Sequence, residues 1–79
     1  MDFEKMAIDI MEEVCETDEV RDDLDLDLME AGYIDSLSTI MIILEVEKKL
    51  GIRLQPTDFT KQDILSVNNF KDFLKRKVK

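Results

Sequence analysis

Residues 36–50, SLSTIMIILEVEKKL, place apolar side chains on two sides of one helix. At 100° per residue, Ile42, Ile43, Val46 and Leu50 fall within about 100° of one another, with Thr39 among them. Leu37, Ile40, Met41 and Leu44 gather on the opposite side. Glu45, Ser38 and Lys49 separate the two clusters on one flank, and Glu47 and Ser36 on the other. A helix of this kind needs neighbours to cover at least one face, so the chain must supply other helices to pack against it. In a chain of 79 residues the second face is expected to stay partly exposed, and an apolar patch beside charges is the composition of a partner site. The alternatives are a helix buried all round and one shared with a second copy. Periodicity does not say which face is which.

The rest of the chain supplies the neighbours. Residues 2–17 read as a helix, with Phe3, Met6, Ala7, Ile10, Met11 and Val14 on one side and Asp2 and Glu4 in the first turn, where they complement the dipole. Ile8 and Cys15 fall at the edge of that stripe. Residues 18–35 read as a long ordered connection. In it Leu24, Leu26 and Leu28 alternate with Asp23, Asp25 and Asp27, a pattern of extended chain that tucks leucines beneath it. Gly32 supplies a turn before the central helix, and Gly51 ends that helix just after Lys48 and Lys49. Residues 56–62 read as one short helical turn opened by Pro56. Residues 67–77 read as the last helix, with Val67, Phe70, Phe73, Leu74 and Val78 apolar and Lys75, Arg76 and Lys77 at its C-terminal end. The expected fold is all-α: a small bundle of three main helices plus one short helix, forming a single domain over 1–79.

Composition removes whole classes of chemistry. The chain has no His and no Trp, with one Cys. That leaves no His general base, no Cys–His nucleophile, no disulfide and no ordinary zinc site. The Asp23–Asp25–Asp27 spacing invites a test for calcium. A helix–loop–helix site needs Gly at the sixth loop position and Glu at the twelfth, and counting from Asp23 those places hold Leu28 and Ile34. No metal site is expected. The net charge is −8, with 14 acids against 2 bases over residues 1–35 and 5 against 9 over residues 36–79. Phosphate recognition needs a basic face, so nucleic acid is not an expected partner. The acidic half favours encounter with basic surfaces, and acids also simply keep a small domain soluble. With no leader-like start and no run of 18 apolar residues, the expected location is the cytoplasm, and a single Cys15 fits a reducing compartment.

Ser36 follows Gly32-Tyr33-Ile34-Asp35 and starts the two-faced helix. Taken alone it reads as an N-cap, the ordinary work of Ser at that place. Yet Gly-Tyr-Ile-Asp-Ser-Leu, running into an apolar helix that reaches Leu44-Glu45-Val46-Glu47, resembles the attachment motif of phosphopantetheine carrier proteins. Helix order, length and acidic balance agree with that family from end to end. Within it, the chain resembles the carriers of D-alanine in Gram-positive teichoic acid modification. The likeness runs through Met1-Asp2-Phe3, Val14-Cys15, Asp18, Val20, Glu30, Gly32, Asp35-Ser36, Thr39, Glu47, Ile52, Thr57-Asp58-Phe59 and Asn68-Asn69. It departs at Leu37, where an aromatic is common, at Val67, where Pro is common, and in lacking a Trp after the short third helix.

The resemblance implies an acyl-carrier-protein-like bundle and a covalent 4′-phosphopantetheine on Ser36. It also implies no catalytic residue in the chain, which is a substrate and partner of enzymes rather than an enzyme. The implied partners are a phosphopantetheinyl transferase, a D-alanine adenylating ligase and a membrane-bound acyltransferase, met by a monomer. An arm delivers cargo only where a partner's active site opens near its root, so docking is expected on Asp35, Leu37, Ile40, Met41 and Leu44. Two other functions stay open at this point: a carrier of fatty or polyketide-type acyl chains, and an unmodified helical interaction module.

Overall fold

A computed structural model describes residues 2–58 and 60–78, with the side chains of Ser36, Pro56 and Val78 outside the description together with Met1, Phe59 and Lys79. Four α-helices, α1 (Phe3–Cys15), α2 (Glu19–Asp22), α3 (Ser36–Leu50) and α4 (Val67–Val78), carry the fold. Two 3₁₀ turns, Pro56–Asp58 and Gln62–Ile64, lie between α3 and α4. Among the described residues there is no strand. The expected all-α bundle of three main helices is present, and the short elements number more than one.

The helix α1 begins where Asp2 caps it, its carboxylate accepting from the Lys5 N–H at 3.0 Å. It ends two residues earlier than its sequence pattern implies, because Glu16 takes the left-handed conformation at φ 54°. Ala7, Ile10, Met11 and Val14 are buried, and Cys15, expected at the stripe's edge, is buried with them. Phe3 and Met6 are partly buried against the same core.

The helix α2 is one turn that the sequence pattern does not reveal. Four residues are too few to hold a helix alone. Tertiary contacts supply what propensity lacks: Val20 is fully buried, and Arg21 pairs with Asp9 at 3.0 Å and with Glu12, both on α1. The segment after it is a chain of turns rather than extended backbone. The leucines do tuck inward, Leu28 completely and Leu24 and Leu26 in part. Asp23 and Asp27 bond their own backbone. Asp23 accepts from the Asp25 N–H at 3.1 Å, and Asp27 accepts from the Met29 and Glu30 N–H groups at 3.1 and 2.9 Å. These are the turn-making bonds that Asp favours.

Three hydrogen bonds stitch this connection to the start of α4, one of them from the Asn68 side-chain amide to Asp25 Oδ1 at 2.6 Å. The Leu28 N–H donates to the Leu65 carbonyl at 2.8 Å, and the Asn68 N–H donates to the Leu24 carbonyl at 3.0 Å. The Leu28 carbonyl in turn accepts from the Tyr33 and Ile34 N–H groups, so Leu28 ties the entry of α4 to the segment that leads into α3.

The single turn expected over residues 56–62 is two 3₁₀ turns. Asp58 accepts from the Gln55 N–H at 2.7 Å and Asp63 from the Thr60 N–H at 2.9 Å. Each carboxylate closes its own turn, which competes with a continuous helix. In α4, Ser66 accepts from the Asn69 N–H at 3.2 Å in the manner of a cap. Val67, Phe70, Phe73 and Leu74 fill the core, with α1 packed most extensively on α4 and then on α3. On α3, Lys49 reaches Glu13 of α1 at 3.4 Å and Glu45 of its own helix at 3.7 Å. Among the described residues no helix is long and apolar enough to cross a membrane.

Candidate functional site

The central helix settles which face is which. Ile42 and Val46 are buried, and Ile43 and Leu50 are partly buried against the same core. On the other side Leu37, Ile40, Met41 and Leu44 are 68%, 53%, 42% and 59% exposed. Among the described residues these four are the large apolar side chains left exposed. Their spacing of three, one and three residues puts them on one ridge of α3. The structure therefore brings together four of the five residues expected to dock partners and leaves them facing solvent. An exposed ridge of this kind is unfavourable in water unless something covers it part of the time.

Asp35, the fifth, performs a structural task at the head of that ridge. It is the N-cap of α3, and Ser36 is the first residue inside the helix. The reading of Ser36 as the cap is thus corrected: a carboxylate one residue earlier reaches the first-turn N–H groups. Asp35 Oδ1 accepts from the Leu37 and Ser38 N–H groups at 3.0 Å each. The Ser38 hydroxyl donates to the same oxygen at 3.2 Å and accepts from the Asp35 N–H at 3.3 Å. This is a capping box with Asp and Ser in its two places. The bond from the Ser38 backbone, followed by its hydroxyl and the Leu37 backbone, holds the Asp35 carboxyl below the ordinary aspartate range. Sequence reasoning placed Ser38 on a flank and missed this role. Its signal was the Asp-x-x-Ser spacing at a helix start.

The segment before the helix is held from several sides. Gly32 reverses the chain at φ 84°, a conformation that costs glycine little. Ile34 is buried. The Tyr33 hydroxyl donates to Glu19 Oε2 on α2 at 2.5 Å, and that bond to a carboxylate keeps the phenol protonated above its usual range.

Whether this place suits a phosphodiester can be judged from the chain itself. The head of α3 lies at the surface, between exposed Asp35 and exposed Leu37, with the positive end of the helix dipole beside it. Asp35 already occupies the N–H groups of residues 37 and 38, so an anion on Ser36 would gain mainly from the dipole and would sit beside a carboxylate. That is compatible with a solvated arm held by a covalent bond. The covalent assignment to Ser36 concerns a side chain outside the described residues. Among the described residues there is no group of three or more potential metal ligands close enough to share an ion.

Comparison with known proteins agrees with this geometry. The phosphopantetheine attachment site family matches residues 7–74, a span that contains both the capped head of α3 and its exposed ridge. D-alanyl carrier proteins of Bacillus cereus (strain B4264) and Bacillus anthracis (strain CDC 684 / NRRL 3495) are each 34% identical over 67 residues, which is 85% of this chain and 85% of theirs. The serine that opens a two-faced helix, the helical bundle and the extent of these matches lead to one conclusion: the chain belongs to the phosphopantetheine-attachment family of carrier proteins, whose prosthetic group is 4′-phosphopantetheine.

Proposed function

We propose that this chain, as one carrier domain over residues 1–79, holds D-alanine on a 4′-phosphopantetheine joined to Ser36. In this reading a D-alanine adenylating ligase loads it and a membrane-bound acyltransferase unloads it toward teichoic or lipoteichoic acid. The observation that carries the proposal is the 34% identity to D-alanyl carrier proteins over 85% of both chains, with an exposed apolar ridge starting beside Ser36. The arm's terminal thiol would hold the cargo as a thioester.

The residues of the chain do the remaining work. Asp35 and Ser38 fix the first turn of α3 and so define where the arm begins. Leu37, Ile40, Met41 and Leu44 offer apolar anchors beside that point, and charged neighbours such as Asp35, Glu47 and Lys48 form a rim. The protein acts as a substrate that raises the local concentration of cargo at each enzyme it meets. A docking ridge with Met41 rather than an acid among its exposed side chains makes association less salt-dependent than an acidic helix would. The proposed site of action is the cytoplasmic side of the membrane, and the proposed form is a monomer.

The test has two stages. Protein co-expressed with a phosphopantetheinyl transferase should gain the mass of phosphopantetheine, and Ser36→Ala protein should not. The modified protein, incubated with D-alanine, ATP and the ligase, should then gain an alanyl group that hydroxylamine removes. Loading with fatty acyl groups and none with D-alanine would replace the D-alanine reading by a fatty or polyketide carrier. No modification at all would leave an interaction module.

A further inference from the structure

We propose that Tyr33 and Glu19 form a positioning pair that sets where Ser36 is presented to the enzyme that attaches the arm. The inference rests on the functional reading above and adds residues that neither docking nor attachment had required. The segment 32–35 must deliver the head of α3 to a fixed place. Most of its anchors belong to the fold itself: the turn at Gly32, two backbone bonds to the Leu28 carbonyl and the burial of Ile34. The bond from the Tyr33 hydroxyl to Glu19 Oε2, at 2.5 Å, is different in kind. It crosses 14 residues of sequence at the surface and joins the approach to Ser36 to the first residue of α2. Behind it Thr17 accepts from the Glu19 N–H at 3.3 Å, so the acceptor stands on a braced turn. The helix α2 is itself clamped to α1 through Arg21.

A side-chain bond at the surface contributes little to global stability, because water competes for both partners. It can still restrict the lateral position of a short segment, and attachment is sensitive to position. In that step the Ser36 hydroxyl oxygen bonds the phosphorus that bears pantetheine, and the phosphoanhydride bond of the coenzyme A donor breaks. The nucleotide leaves with the electron pair, and the hydroxyl proton passes to a base of the transferase. Misplacing the attacking atom by about 1 Å costs up to roughly a hundredfold in rate. A looser segment samples the reactive position less often while the docking ridge remains intact.

The experiment measures arm attachment to the full-length apo protein by intact mass, with coenzyme A and a phosphopantetheinyl transferase. It is run at a temperature where circular dichroism shows every variant folded. Tyr33→Phe keeps the ring and removes the hydroxyl, and Glu19→Ala removes the acceptor. Each should lower kcat roughly three- to tenfold with KM changed by less than about twofold. Glu19→Gln, which keeps an acceptor oxygen, should recover most of the rate. The double variant Tyr33→Phe/Glu19→Ala should be no slower than either single one. Wild-type kcat in Tyr33→Phe, a loss in Glu19→Gln equal to that in Glu19→Ala, or losses that multiply in the double variant would overturn the proposal. If wild-type protein gains no arm, the functional reading falls and takes this inference with it. If wild type is modified and Tyr33→Phe matches it, only this inference falls.

Discussion

Met41 and Ile42 are neighbours in sequence on opposite faces of α3, and replacing each separates docking from folding. Ile42 is fully buried, so Ile42→Ala removes packed methyl groups and leaves a cavity, at a cost of about 2–5 kcal/mol. In a domain of this size each kcal/mol is worth about 4–8 °C of melting temperature. Ile42→Ala should therefore melt at least about 8 °C below the wild type. Met41 is 42% exposed, and a Lys there can extend its ammonium into water, so Met41→Lys should change stability by no more than about 0.5 kcal/mol. The same Lys puts a charge into the apolar ridge. Losing one anchor at the centre of an interface costs at least about 1.4 kcal/mol, which is tenfold in affinity. D-alanyl loading of the holo protein, followed by intact mass against time, should show kcat/KM for the ligase falling about tenfold or more in Met41→Lys. Thermal melts on the same samples complete the comparison. A melting temperature for Met41→Lys as low as that of Ile42→Ala would mean the ridge is core. Wild-type loading by a stable Met41→Lys protein would move the docking surface elsewhere, to the acidic connection before Ser36.

Three further outcomes follow from particular contacts. Ser36→Ala should abolish arm attachment yet leave stability within about 0.5 kcal/mol of wild type, because the cap belongs to Asp35 and Ala suits the first helical position; a large drop in melting temperature would show that Ser36 has a structural task after all. The Asp35 carboxyl, lowered chiefly by the Ser38 backbone bond, contributes stability that is complete above the unfolded aspartate pKa of about 3.9 and is lost as pH falls through its lower folded value. Melting temperatures followed from about pH 5 to about pH 2 should therefore fall less steeply in Asp35→Asn, which caps without titrating there, and equal slopes would refute the contribution. Burial pushes the Cys15 thiol up to about 11, so alkylation at neutral pH should await an opening of α1 and accelerate in Ile42→Ala; labelling of native wild type as fast as of denatured protein would contradict its buried place.

The sequence by itself determined the three long helices, because each repeats apolar residues at helical spacing over three turns or more and meets a capping or breaking residue near its ends. Asp2, Gly51 and the basic run at 75–77 do this with local chemistry that no neighbour has to supply. It also determined that α3 has two apolar faces, and with Asp35-Ser36 at its head the family was legible. Three features were decided only by tertiary structure. The helix α2 is too short for any periodicity, and it exists because Val20 finds the core and Arg21 finds Asp9 and Glu12. The Asp23–Asp25–Asp27 run looked like alternating extended chain, but local bonds to the Asp23 and Asp27 carboxylates, with Asp25 held by Asn68, outweigh that pattern and fold it into turns. The choice of face on α3 rested on its neighbours. Both clusters are similarly apolar, so hydrophobicity favours burying either one. The packing of α3 on α1, with Lys49 reaching Glu13, turns Ile42 and Val46 inward and leaves Leu37, Ile40, Met41 and Leu44 in water, since a bundle of this size has too few helices to cover both.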